Sequence, residues 1–172
     1  DNMSFEDALK LAQEKGYAEK DPTADVEGHD ACRKVCILAT LAFGKHVYPE
    51  QVKTEGITNI TLDDVASADS FGCVIKLIGH AEKLENGKIT ASVRPTVVSR
   101  QSMLSGVNGV FNAVLINGDQ TGEVMFYGKG AGKEATASAV VADIMDCAKH
   151  VKAAKYLNWE DGYEGYVDNN SD

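Results

Sequence analysis

The chain has 172 residues, 44% of them hydrophobic and 25% charged, which suits one globular domain with a core of ordinary size. A net charge of −9 and a sequence pI near 4.9 argue against a phosphate backbone as partner, so nucleic-acid binding is set aside. No apolar run is long enough to span a bilayer and no signal-peptide pattern opens the chain, so no membrane partner is expected; the start, Asp1-Asn-Met-Ser, reads as a fragment or a processed piece.

In chain order, Ser4 is placed to cap a helix with Asp7 three residues on, and Phe5, Ala8, Leu9 and Ala12 form one apolar stripe that Gly16 ends. An acidic, glycine- and proline-punctuated loop follows, with Asp21-Pro22 favouring an extended or turn conformation. From Gly28 to Phe43 the set Ala31, Val35, Leu38, Ala39, Ala42 and Phe43 recurs at helical spacing and stops at Gly44. A short helix is predicted over Leu62–Ser70, with Thr61 as cap and Asp63 and Asp64 at its positive end.

Cys73–Gly79 and Ile89–Val98 are β-rich runs around an Asn86-Gly87 turn, and a second hairpin is predicted from Gly109–Ile116 and Gly122–Tyr127. A last helix, rich in small residues, is predicted from Glu134 to Lys149. The fold class expected is α+β, with helices packed on one face of a largely antiparallel sheet. One domain is assigned to 1–155, and the polar, acidic and aromatic stretch 156–172 is read as a linker or frayed tail.

The candidate chemistry concentrates between Gly16 and Lys34. Asp30 and Lys34 are four apart, so on a helix they share one face within contact distance. Arg33 beside Lys34 and apolar residues on the next turn would leave the lysine partly desolvated, a setting suited to proton transfer; the other reading is a solvated helix-surface ion pair. Asp30 could accept a hydrogen bond from a substrate hydroxyl or ammonium, or simply hold the lysine. Glu19 lies where a loop carboxylate can point at ligand, and Asp21, Asp25 and Glu27 could do the same or be merely solvated. The site reading requires the Lys34 ammonium to face Glu19 or a cleft rather than bulk solvent.

Gly128-Lys-Gly-Ala-Gly132 offers a strand, glycines and a helix N-terminus, but Lys133 stands where both a Walker loop and a Rossmann fingerprint need glycine. Cys32, Cys36, Cys73 and Cys147 lack duplicated Cys-x2-4-Cys spacing and read as buried free thiols of a reducing, cytoplasmic compartment. The four histidines form no metal-ligand pattern and there is no Gly-x-Ser-x-Gly, so no metal site or serine nucleophile is assigned.

The run Gly16-Tyr-Ala-Glu-x-Asp-Pro-x-x-Asp-x-x-Gly-x-Asp-x-x-Arg-Lys34 resembles the substrate-binding signature of homoserine dehydrogenases. Val124-Met-Phe-Tyr-Gly-Lys-Gly-Ala-Gly132 followed by Thr136-Ala-Ser-Ala-Val-Val-Ala-Asp143 resembles the segment by which those enzymes return to their nucleotide-binding half. The resemblance covers nearly the whole chain and implies a substrate-binding, catalytic domain separated from its NAD(P)-binding domain. It implies Lys34 as the proton-transferring lysine, Glu19 and Asp30 as substrate contacts, and Asp25 as a supporting carboxylate. Gly16, Gly130 and Gly132 would come close to a cofactor bound mainly elsewhere. It further implies NAD(P)H-dependent interconversion of aspartate 4-semialdehyde and homoserine, on the branch to threonine and methionine, in a homodimer built partly through the sheet. A further catalytic lysine and a monovalent-cation site would belong upstream of Asp1.

Two other readings stay open. One is a non-catalytic amino-acid-binding or dimerisation module; the other is a diaminopimelate- or saccharopine-type dehydrogenase, for which Arg33, Arg94 and Arg100 are a sparse arginine set.

Overall fold

The structure, a computed structural model, describes residues 3–130, 132–153 and 159–169. Helix α1 (Phe5–Glu14) begins where the Asp7 N–H donates to Ser4 Oγ at 3.1 Å and ends before Gly16, whose φ of +72° makes the left-handed exit. The acidic segment is not all loop. Asp21 accepts hydrogen bonds from both the N–H (3.2 Å) and the hydroxyl (2.6 Å) of Thr23, and a one-turn helix, α2 (Thr23–Val26), follows at once. These bonds hold the Asp21 carboxyl below its ordinary pKa.

Helix α3 (His29–Phe43) runs between Gly28 and Gly44, both in the left-handed region, as the sequence predicts. A 3-10 turn at Pro49–Gln51 leads to the two-residue strand β1 (Lys53–Thr54). Helix α4 (Leu62–Ser70) carries the predicted cap in reciprocal form: the Asp64 N–H donates to Thr61 Oγ1 at 3.2 Å, and the Thr61 N–H donates to Asp64 Oδ2 at 2.9 Å. Strands β2 (Cys73–Lys83) and β3 (Ile89–Ser99) form the first hairpin; β4 (Phe111–Gly118) and β5 (Gly122–Lys129) form the second. Helix α5 (Lys133–Lys149) closes the order.

The class is α+β as expected, with two separate sheets among the described residues. One has the order β1-β3-β2, β1 running parallel to β3 and β2 antiparallel; the other is the β4–β5 hairpin. Because side chains alternate along a strand, Ile75, Leu77 and Gly79 share the face that carries the helices. Gly79 pairs with Val93, and Val35 of α3 sits in the notch that the missing side chain of Gly79 leaves. On the other face Lys76 Nζ donates to Val107 O at 2.6 Å and to Asn108 Oδ1 at 2.7 Å, tying down the approach to the second hairpin; burial lowers its amine pKa.

The core joins α3 to the three-stranded sheet through Cys32, Val35, Cys36, Ala39, Ile89, Ala91 and Val93. The buried face of α3 is therefore rotated from the predicted one. Leu38 and Ala42 are exposed, and Cys32, Cys36 and Thr40 are inside. Beyond its first turns the helix is apolar nearly all round, so spacing alone did not choose the face. Thr40 fits inside because it donates to Cys36 O at 2.7 Å and accepts from the Val47 N–H at 3.0 Å. Of the four cysteines expected to be buried, Cys32 and Cys36 are; Cys73 is half-buried and Cys147 is exposed.

The boundary expected at residue 155 lies outside the described residues. Beyond it, residues 159–169 are held firmly rather than frayed. The His46 N–H donates to Glu160 O, the Glu160 N–H to Gly44 O and the Ile89 N–H to Tyr166 O, all within 3.0 Å, and Lys45 pairs with Glu160. Tyr166 is 1% exposed and belongs to the core. Asn169 links the Gln51 carbonyl (2.7 Å) to the Ala91 N–H (3.3 Å).

Candidate active site

Gly28 sets the start of α3. Its φ of +77° turns the chain out of α2, and its carbonyl accepts the first helical bond from the Cys32 N–H at 2.9 Å. Asp30 then falls in the first turn, where a carboxylate is favoured by the helix dipole, and Lys34 follows one turn on. The two meet: Lys34 Nζ lies 2.6 Å from Asp30 Oδ2. The ion pair is open to solvent, with the lysine side chain 62% exposed and the aspartate 45%.

Neither the desolvated amine expected at Lys34 nor the facing cleft or Glu19 contact is thus supplied by this chain's own described surface. Lys34 and Asp30 line none of the grooves beside α1, α4 or the back of α3. The reason lies on the same helix. Ile37, Leu38 and Leu41 continue the Asp30–Lys34 face at helical spacing, and all three are exposed. The charged pair stands at the head of an uncovered apolar stripe, and a cleft here needs a second wall.

The other expected site residues are placed as follows. Glu19 is exposed, and its backbone carbonyl accepts from Gln13 Nε2 at 3.0 Å, which stitches the acidic segment to α1. Asp25 is exposed on α2 and its carbonyl accepts from the Gly28 N–H at 3.3 Å. Glu27 is engaged by the Thr58 hydroxyl at 2.7 Å. Among the described residues no hydrogen bond or ion pair joins Glu19, Asp25, Gly16, Gly130 or Gly132 to the Asp30–Lys34 pair. Sequence reasoning missed Gln13 and Thr58, since their partners are six and thirty-one residues away and neither forms a local motif.

The glycines divide. Gly132 (φ +114°) precedes the N-terminus of α5, and nothing lies within 4 Å of where its Cβ would stand; Gly16 is equally open. Packing therefore does not demand a glycine at either position; Gly132 leads into a helix N-terminus, whereas Gly16 follows a helix C-terminus. Gly130 is different: a Cβ there would overlap the side chain of Asn112, so packing within the hairpin accounts for that glycine. Ala131 between them lies outside the described residues.

The arrangement supplies an amine and a carboxylate in contact, beside further carboxylates on a short linked segment. It can orient a small polar molecule and hold a proton at the lysine. The family model described as homoserine dehydrogenase matches residues 1–145. The chain is 46% identical over 149 residues to homoserine dehydrogenase from Synechocystis sp., covering 85% of this chain and 34% of that protein. It is 47% identical over 146 residues to the Pseudomonas aeruginosa enzyme, covering 85% and 33%. Among solved structures, homoserine dehydrogenase from Thiobacillus denitrificans superposes with a TM-score of 0.82 at 46% identity, over 88% of this chain and 35% of the other. A hyperthermophilic archaeal homoserine dehydrogenase in complex with NADPH superposes with a TM-score of 0.66 at 30% identity, over 86% and 41%. The chain spans about a third of the length of the curated relatives it matches.

Proposed function

This chain belongs to the homoserine dehydrogenase family, and from that premise we propose that it supplies the substrate-binding and catalytic part of an NAD(P)-dependent homoserine dehydrogenase. The reaction interconverts L-aspartate 4-semialdehyde and L-homoserine, on the branch to threonine and methionine. Glu19 and Asp30, with Asp25 in support, orient the polar groups of the substrate. Lys34 stabilises negative charge developing on the aldehyde oxygen and delivers the proton there. NAD(P), held mainly by a domain outside this chain, supplies the hydride when bound. Gly16 and Gly132 offer it open backbone, with Gly130 at the same junction.

The observation that carries this reading is the continuity of the Asp30–Lys34 pair with the exposed stripe Ile37, Leu38 and Leu41. A surface-only ion pair gives no reason for three large apolar residues to follow it into water. A catalytic pair at the edge of an interdomain cleft does. The second hairpin supports a homodimer closed partly through the sheet. Val114, Ile116, Val124 and Phe126 lie on one of its faces, Leu115, Met125 and Tyr127 on the other, and a two-stranded hairpin is marginal without cover. Four free thiols suit the cytoplasm.

The test is a chimera of the Synechocystis enzyme in which this chain replaces the matching segment. Lys34→Ala should lower NADPH-dependent turnover of aspartate semialdehyde by roughly 10²–10⁴-fold. Turnover retained by that variant would favour the non-catalytic module instead. Micromolar NADPH affinity of the isolated chain by titration calorimetry would overturn the assignment of the cofactor to another domain.

A further inference from the structure

The turn that delivers Asp30 into α3 is gripped from the side by the residues that follow β1. Gly56 lies against the backbone of Val26 and Glu27: a Cβ there would overlap Val26 O and stand 2.5 Å from Glu27 Cα. Gly56 is not among the glycines with positive φ, so it is space and not backbone conformation that excludes a side chain. Next to it the Ile57 N–H donates to Val26 O at 2.8 Å, and Thr58 Oγ1 donates to Glu27 Oε1 at 2.7 Å. On the other side the Glu55 N–H donates to Val93 O at 2.8 Å, which fastens the grip to β3. The following residue of the turn, Gly28, is buried, and a Cβ on it would be 3.3 Å from both Thr54 Cγ2 and Val93 Cγ1. Four consecutive residues, 55–58, thereby set where α3 begins relative to the sheet.

We propose that Gly56 and Thr58 are positioning residues for the Asp30–Lys34 pair, acting through Val26–Gly28. This rests on the catalytic reading of that pair. It also reassigns Glu27: its carboxylate serves as the acceptor for Thr58 and its charge is dispensable. The side chain that would place Glu27 among the substrate-facing acids is already committed to the clamp.

The experiment uses four variants in the chimeric enzyme, with hydrogen exchange on the chain itself as a readout independent of catalysis. Thr58→Val keeps the shape and removes the donor; it should lower kcat roughly 3- to 10-fold, the span of one ordinary hydrogen bond, with KM for NADPH unchanged and the folded fraction intact. Thr58→Ser keeps the hydroxyl and should restore the rate, and Glu27→Gln keeps an acceptor oxygen and should stay within about 2-fold of the parent. Gly56→Ala forces the α2–α3 junction outward by about 1 Å and should cost about 100-fold in kcat. In the isolated chain, Thr58→Val should speed exchange at the amides of Cys32, Arg33 and Lys34, the first bonded turn of α3.

Glu27→Gln as damaging as Thr58→Val would overturn the proposal, since charge and not the clamp would then be at work. So would unchanged exchange in that turn. Should Lys34→Ala leave turnover intact while Thr58→Val still loosens the turn, the clamp stands and the catalytic reading falls. Should Gly56→Ala fail to fold, the Thr58 and Glu27 variants decide alone.

Discussion

The seat of α3 on the sheet can be tested by adding one methyl group. In Gly79→Ala the new carbon would overlap Val35 Cγ2, with Val35 Cβ and Val93 Cγ2 at an ordinary 3.7 Å. Val35 is only 8% exposed, and a valine in a helix has one strongly preferred rotamer, so Cγ2 has no free escape. Overpacking of this kind costs about 1–3 kcal/mol, and replacing a strand glycine returns about 0.5–1 kcal/mol of backbone entropy. The net expectation is a loss of roughly 1–2 kcal/mol. Val35→Ala alone should cost about 2 kcal/mol, from two buried methyl groups at about 0.8 each and a small cavity. The double variant puts the alanine methyl where Cγ2 was, so it should be no less stable than Val35→Ala alone. That is a coupling of about 1–2 kcal/mol. Urea unfolding monitored by circular dichroism reads these as shifts of midpoint at constant slope, with melting temperatures falling roughly 2–4 °C per kcal/mol at this chain length. Costs that add within about 0.5 kcal/mol would refute the contact and with it the placement of α3 over β2.

Two further outcomes follow from residues 159–169 and the thiols. Tyr166→Ala should destabilise by about 3–5 kcal/mol in the same urea assay, as a core aromatic does; a change under about 0.5 kcal/mol would show that 159–169 is not part of the core. Burial, with Cys32 as neighbour, pushes the Cys36 thiol up to about 12, while Cys147 is exposed. With Ellman's reagent at pH 8, Cys147 should react first, and Cys36 should wait for unfolding. The sign for stability follows: between the ordinary thiol value and about 12 the unfolded chain releases a proton that the folded chain keeps, so stability falls as pH rises through that window. Fast labelling of Cys36 in the folded chain would contradict its burial.

What could be read from the residues was what is settled locally. The ends of α1, α3 and α4 were legible because Ser4, Gly28, Gly44 and Thr61 act on backbone groups within four residues. The Asp30–Lys34 contact was legible for the same reason. Helix α2 was not, because four residues carry no periodicity and its start depends on the Asp21–Thr23 turn. Strand β1 is two residues long and exists by pairing with Ser92 and Val93, nearly forty positions on. The segment around Trp159–Tyr166 has the composition of a solvated tail, and only its long-range backbone bonds reveal it as part of the body. Gly56 is silent in the sequence for a similar cause: its neighbour in space, Glu27, is remote in the chain.

Helix α3 therefore has three sides with three different fates. One packs on Gly79 and Val93, and one faces a groove of about 330 Å³ lined by Arg33, Cys36, His46 and Trp159, with Ile37 on the edge it shares with the third side. The third begins with Asp30 and Lys34 and runs on into exposed Ile37, Leu38 and Leu41. A helix held by its core face against the sheet cannot roll to bury the third side, so those apolar residues gain cover only from a surface that comes to them. On the proposed function that surface is the nucleotide-binding domain. Its arrival would bury the stripe and take water from around Lys34 in a single step, which raises the strength of every charge interaction there. On that reading the pair's exposure in this chain is consistent with a catalytic role, since the apolar burial that would join the two halves would also make the amine competent.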